Sequence, residues 1–204
     1  MTVRIFGAPR TRAYRCFWLA EEIGLDYEAI SVTAEEARTH AGLLAVNPMG
    51  KLPSMEDDGL CLWESYAINH YIARKYGGSF GPQDLAEDGQ LLSWAFWTAT
   101  AIEPPALIML MNGFLGEEGE RDPDKIPLAM EDLKRPLDSL EKHIDEHGYL
   151  VGERFTVAEV NLVAVLGWVA VSGGDLAPYG STVAWLARCG ARPAARKVLA
   201  RMGL

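Results

Sequence analysis

Asn47-Pro48-Met49-Gly50-Lys51-Leu52-Pro53-Ser54-Met55, with Trp63-Glu64-Ser65-Tyr66 a short way beyond, is the stretch that decides the fold. Leu52 precedes a proline, whose ring crowds the helical conformation of its neighbour, so Leu52 is expected to be extended. Its N–H and C=O then face outward instead of closing a helical turn. A cis Leu52-Pro53 bond would make the turn sharper. Asp58-Gly59 is a tight-hairpin signal joining strands at Pro53–Met55 and Leu60–Leu62. Glu64-Ser65 falls at the start of an amphipathic helix reaching about Tyr76. A helix start offers free N–H groups and positive dipole character, which suit a carboxylate. One corner of the chain therefore presents a backbone edge able to pair with a peptide, next to a carboxylate-binding helix end.

The 204 residues allow one large domain or two small ones, and 49% apolar content supports a substantial core. A net charge of −9 without any basic cluster argues against nucleic-acid and anionic-membrane partners. Cys16, Cys61 and Cys189 lie far apart, with neither metal spacing nor a disulfide framework. Each reads as a small buried hydrophobe. The first residues lack a signal-peptide pattern. The longest apolar run, Leu162 to Val171, is too short to span a bilayer. A soluble cytoplasmic chain is expected.

Val3-Arg4-Ile5-Phe6 reads as a strand ended by Gly7. Tyr14, Phe17, Trp18, Ala20 and Ile23 recur at helical spacing, with Gly24 as the stop. Tyr27 to Val32 is a second strand, and Glu35 to Ala45 a short or irregular helix. The hairpin and helix follow, completing a small α/β layer of the thioredoxin kind over residues 1–78. Breakers in Gly77-Gly78-Ser79-Phe80-Gly81-Pro82 place a linker at 79–86. Beyond it, 87–204 is purely helical. Asp88 to about Phe114 is a long helix that Pro104-Pro105 should kink or break. Leu128 to His147 carries Met130, Leu133, Leu137, Leu140 and Ile144 on one face, with a bend expected at Pro136. Thr156-Val157-Ala158-Glu159 is a capping box opening a buried helix, Val157 to Val171. Thr182 to Arg188 and Pro193 to Arg201 are two shorter helices.

Asn47-Pro48-x-Gly50-Lys51-Leu52-Pro53 followed by Glu64-Ser65 resembles the glutathione-binding half of the cytosolic glutathione S-transferases. The α/β half followed by an all-helical half with a capped, buried helix after Gly152 extends the likeness to the whole chain. Glu159 stands where the family pattern has Asp, and either closes the box. The resemblance implies an N-terminal thioredoxin-like domain and a C-terminal helical bundle. It implies that Leu52, preceding Pro53, pairs with the cysteinyl backbone of glutathione, and that Glu64 and Ser65 hold its γ-glutamyl group. A homodimer is also implied.

Glutathione chemistry needs the thiolate. A free thiol of pKa ~8.5 is only a few per cent ionised at neutral pH, and lowering that value by about two units takes roughly 2.7 kcal/mol. A helix N-terminus plus one hydroxyl donor supplies this order of magnitude. The helix start nearest the end of the first strand is Thr11-Arg12-Ala13. Family members place Ser, Cys or Tyr in this loop, often as Ser-Arg-x-x-Arg; here it reads Thr11-Arg12-Ala13-Tyr14-Arg15. Thr11 keeps the hydroxyl, but its methyl restricts the rotamer, and Thr is also a common N-cap. Arg12 and Arg10 are alternative stabilisers of the thiolate, or solvated surface charges. Lys51 reaches the glycine carboxylate or is an exposed loop lysine. Tyr14 and Cys16 read as core residues, and Asn69 and His70 as surface or helix-packing residues. His143 and His147 are a metal pair by spacing alone, or dipole-favoured residues near a helix C-terminus; no metal is expected. Trp94, Trp97, Ile108 and Met111 are core, or border the electrophile pocket and dimer interface that the family builds on that helix.

These readings converge on transfer of glutathione thiolate to a small hydrophobic electrophile. Glutathione-dependent isomerisation, dehalogenation or peroxide reduction would use the same pocket. A non-catalytic binding or assembly module on the same fold is the reading from a different class.

Overall fold

The computed structural model describes residues 2–117 and 119–201. They fall into two compact units, one reaching Gln83 and resuming at Ala191, the other spanning Asp84–Gly190.

The first unit is built on strands β1 (Val3–Phe6), β2 (Tyr27–Ile30), β3 (Ser54–Asp57) and β4 (Leu60–Trp63). Their spatial order is β2-β1-β3-β4. β1 and β2 run parallel, joined through helix α1 (Ala13–Glu22), while β1–β3 and β3–β4 are antiparallel. Asp58 and Gly59 both take positive φ, 49° and 84°, which gives the tight hairpin its twist. Helix α2 (Ala41–Val46) follows a single 3₁₀ turn, Glu36–Arg38, so the helix expected over Glu35–Ala45 is broken. The break lies at His40, whose Nδ1 accepts from the Leu43 N–H and starts α2 afresh. Leu43 and Val46 join Phe6, Val32 and Ala37 in a buried cluster against which Leu52 packs. Successive strand residues alternate faces, so Val3 and Ile5, both buried, point away from that cluster. Helix α3 (Ser65–Tyr76) packs on α1 and β4.

The second unit is helical: α4 (Leu85–Trp97), α5 (Glu103–Leu110), α6 (Lys125–His147), α7 (Val157–Val171) and α8 (Gly180–Gly190). The long helix expected before residue 115 is divided. Asp84 caps α4, and a π-helical turn, Thr98–Ile102, separates α4 from α5. Pro104 and Pro105 thus sit in a first turn, where a missing N–H costs least. α6 continues through Pro136. The capping box closes as its sequence demands: Glu159 accepts from Thr156 N at 2.8 Å and Thr156 Oγ1 at 2.7 Å. Its other oxygen takes the Leu150 N–H at 2.7 Å. Burial pushes the Glu159 carboxyl above its ordinary range despite these bonds. A four-strand mixed sheet with helices, followed by a helical unit, is the fold class read from the sequence.

The first unit gives way to the second at Gln83 and resumes at Ala191. Helix α9 (Pro193–Arg201) belongs to the first unit, packed on α1. The reason is charge. Glu21 and Glu22 sit in the last turn of α1, where the helix dipole disfavours anions. Arg192 meets Glu22 at 2.8 Å, and Lys197 and Arg201 meet Glu21 at 2.5 and 2.6 Å.

Candidate functional site

Sheet register assembles the candidate residues. Ser54 pairs with Phe6 on one side and Trp63 on the other. The chain entering β3 (Leu52-Pro53), the chain leaving β4 (Glu64-Ser65) and the chain leaving β1 (Gly7 onward) therefore meet at one end of the sheet.

The entering loop is held from inside. Asn47, fully buried, donates from Nδ2 to Lys51 O at 3.3 Å and to Ser54 Oγ at 3.1 Å, and accepts from Met49 N at 3.1 Å. Ser54 Oγ donates to Lys51 O at 2.9 Å. Gly50 has φ 59°, and a Cβ there would lie 2.7 Å from Ala37 O, so only glycine fits that turn. The Leu52-Pro53 bond is cis. With the Leu52 side chain packed on the α2 cluster, its backbone faces away from the core. Among the described residues neither the N–H nor the C=O of Leu52 has a hydrogen-bond partner. Lys51 is exposed.

Glu64 caps α3 with φ 65° and ψ 114°, a conformation that side chains disfavour by about 1–3 kcal/mol and that concentrates at binding sites. It is exposed, while Ser65, the first helical residue, is 3% exposed. The start of α3 is tied to α1: Asn69 Nδ2 donates to Arg15 O at 3.2 Å, and the Arg15 guanidinium lies 4.6 Å from the Tyr66 ring centre.

Thr11 precedes α1. Its Oγ1 donates to Ala8 O at 2.7 Å and accepts from Ala13 N at 3.2 Å, so the hydroxyl serves the turn and the helix start together. Gly7 allows that turn to close, since a Cβ there would fall 2.4 Å from the Ala13 Cβ. Arg12 is half-buried at the N-cap position of α1, and Arg10 is exposed.

Other candidates separate cleanly. Cys16 is fully buried with its thiol pushed up to about 12 by that burial. Tyr14 is likewise pushed up to about 12 and packs its ring 5.9 Å from Trp18. Cys16 is a core residue, as expected, whereas Tyr14 is only half-buried. Cys61 departs from expectation: it lies on the sheet's edge strand and is only half-buried. His143 Nε2 lies 3.1 Å from both Tyr149 O and Leu150 O, so that nitrogen carries the proton and donates. Among the described residues no group of three or more His, Cys, Asp or Glu is placed to hold a metal ion. None of the helices described is long and apolar enough to cross a membrane. The role of Asn47 inside its own motif was not read from the sequence. An Asn before a Pro, ahead of a glycine turn, is the signal that marks it.

Known proteins bear on this arrangement. Residues 1–74 match the family model described as glutathione S-transferase, N-terminal domain, and residues 98–193 the corresponding C-terminal domain. Glutathione S-transferase 3 of Zea mays is 30% identical, with 99% of this chain and 95% of the maize protein covered. Elongation factor 1-gamma of Danio rerio is 31% identical over 77% of this chain and 35% of its own length. Among solved structures, glutathione S-transferase-I bound with lactoylglutathione superposes at a TM-score of 0.89 with 26% identity, covering 98% of this chain and all of that one (100%).

Proposed function

Because this chain belongs to the glutathione S-transferase family, we propose that it binds glutathione along Leu52 and transfers the thiolate to a small apolar electrophile. The observation that carries the reading is the unpaired Leu52 backbone standing beside the strained Glu64 cap. An unpaired N–H and C=O on one residue match the C=O and N–H of a cysteinyl residue laid antiparallel, as in strand addition. The residues present fit the ligand. Ser65 Oγ and the first N–H groups of α3 suit the γ-glutamyl carboxylate, and Glu64 suits its ammonium. Lys51 suits the glycine carboxylate. The sulfur then points towards the turn before α1, where helix dipole, Arg12 and the Thr11 hydroxyl favour the anion. Thr11 must turn its proton from Ala8 O to the sulfur. The ionised sulfur attacks the electrophilic carbon, a carbon–sulfur bond forms, and the leaving group departs with its electron pair. A cytoplasmic homodimer is part of the same proposal.

A second reading has one observation in its favour. The Thr11 hydroxyl is already committed at both ends, as an N-cap would be. The likeness to elongation factor 1-gamma, named for no transferase activity, accords with a binding module. Immobilised glutathione and a chromogenic aryl halide separate the two. Retention with turnover supports the enzyme. Retention without turnover of any activated electrophile supports the module, and no retention overturns the transferase reading.

A further inference from the structure

β3 carries a second attachment at the end remote from Pro53. Asp57, its last residue, is 1% exposed. Its Oδ2 accepts from Tyr71 OH at 2.8 Å, Lys75 Nζ at 2.7 Å and Tyr76 OH at 2.8 Å. All three donors lie on the C-terminal half of α3. Oδ1 is buried with no partner, so the carboxylate is not placed there for its own solvation. The Lys75 ammonium also lies 5.4 and 5.0 Å from the Tyr71 and Tyr76 ring centres, which closes the group on itself.

Geometry gives this group a task. β3 runs from Ser54, at the candidate site, to Asp57. β4 returns to Trp63 at the site, and α3 then runs from Ser65 back towards Asp57. The helix packs on α1 and β4 through its apolar face, and its two ends have separate polar anchors: Asn69 to Arg15 O near the start, and Asp57 near Tyr76. Without the far attachment the C-terminal end of this helix of 12 residues, about 18 Å long, keeps its apolar packing on α1 but loses its polar tie to β3, and a small rotation of the helix on α1 is carried to its first turn. Its first-turn N–H groups and Ser65 would lose their aim relative to Leu52.

We propose that Asp57 is a positioning residue for the glutathione site, setting the pose of α3 and hence the grip on the γ-glutamyl group. The inference rests on the functional reading above. It assigns Asp57 no contact with ligand and no part in ionising the sulfur. The signature is therefore selective: affinity for glutathione falls, while the thiol pKa of bound glutathione stays.

The test uses the full chain and glutathione itself. Titration calorimetry at pH 7 is run on wild type, Asp57→Asn, Lys75→Met and Tyr76→Phe, with urea unfolding and ultraviolet titration of the bound thiolate alongside. Asp57→Asn should raise Kd about fivefold or more, and the single-donor variants about twofold each. The thiol titration should not move. Variants that lower the urea midpoint but bind like wild type would overturn the inference, leaving Asp57 a fold stabiliser only. A shifted thiol titration would also overturn it. If Asp57→Asn does not fold, the two donor variants decide alone. A wild-type chain that binds no glutathione overturns the functional reading and this inference with it. Wild-type binding with unaffected variants overturns the inference alone.

Discussion

Ser54 stands opposite Trp63 in the β3–β4 ladder, and that one pairing sets Leu52 beside Glu64. With the Ser54–Phe6 pairing, which brings in the turn before α1, it underlies what is proposed for the site. A slip of one residue would turn Met55, fully buried, to the other face of the sheet. The register is thus fixed by core packing, and the site inherits its geometry from the core.

Glu64 trades stability for position. Glu64→Gly should raise stability by about 1 kcal/mol, because glycine relieves the φ 65° strain and costs somewhat less than that in added unfolded-chain freedom. The same variant should bind glutathione more weakly. Ser65→Ala, with nothing strained to relieve, should weaken binding about tenfold, ~1.4 kcal/mol, with little change in stability. Urea unfolding and calorimetry measure the two effects separately, and opposite signs at Glu64 are the expected outcome.

Thr11 distinguishes catalysis from capping. Thr11→Ser keeps the hydroxyl and should keep turnover. Thr11→Ala should raise the pKa of bound glutathione by about one unit and cut turnover at pH 6.5 roughly tenfold, with a smaller effect on retention. Equal losses of turnover and retention would mean that the hydroxyl only shapes the loop through Ala8 O and Ala13 N.

Burial sorts the cysteines. With its thiol pushed up to about 12 and no exposed surface, Cys16 should resist iodoacetamide in the native chain at pH 8. Cys189, 1% exposed, should do the same. Half-buried Cys61 should be modified first. Mass spectrometry of the alkylated native protein checks the order.

Asp57 gives the acid limb of stability a specific source. Burial pushes its carboxyl up, but hydrogen bonds from Lys75, Tyr71 and Tyr76 outweigh that and hold it below its ordinary value of 3.8. A depressed folded-state pKa means the unfolded chain binds the proton more readily. The contribution is therefore complete above the ordinary carboxylate range and is lost as pH falls below it. Asp57→Asn should flatten the fall in urea midpoint between about pH 4.5 and 3.

Much of this was legible in the sequence because local chemistry dictated it. Asp58-Gly59 can hardly form anything but a tight turn, and Thr156 with Glu159 can close a box wherever the helix lies. α7 and α9 begin and end where their patterns say. Tertiary charge decided what was missed. Nothing in residues 192–201 alone tells that Arg192 answers Glu22, 170 positions earlier, or that Lys197 and Arg201 answer Glu21, 176 and 180 positions earlier. The Asp57 group escaped for the same reason, although Tyr71, Lys75 and Tyr76 share one helical face. The π-helical turn at Thr98–Ile102 has no pattern of its own. It reads as a helix until the prolines after it are asked where their missing N–H groups can sit. At the site, the order Asn47 to Pro53 then Glu64-Ser65 located the corner. The state of the Thr11 hydroxyl could not be read, because it depends on where Ala8 O falls.

The most direct test of the account is a crystal of this chain soaked with glutathione. The account predicts two main-chain hydrogen bonds between Leu52 and the cysteinyl residue, the γ-glutamyl carboxylate on Ser65 and the first turn of α3, and the sulfur facing the turn at Thr11. Glutathione bound away from Leu52, or a soaked crystal with Leu52 still unpaired and no ligand at Ser65, would contradict it.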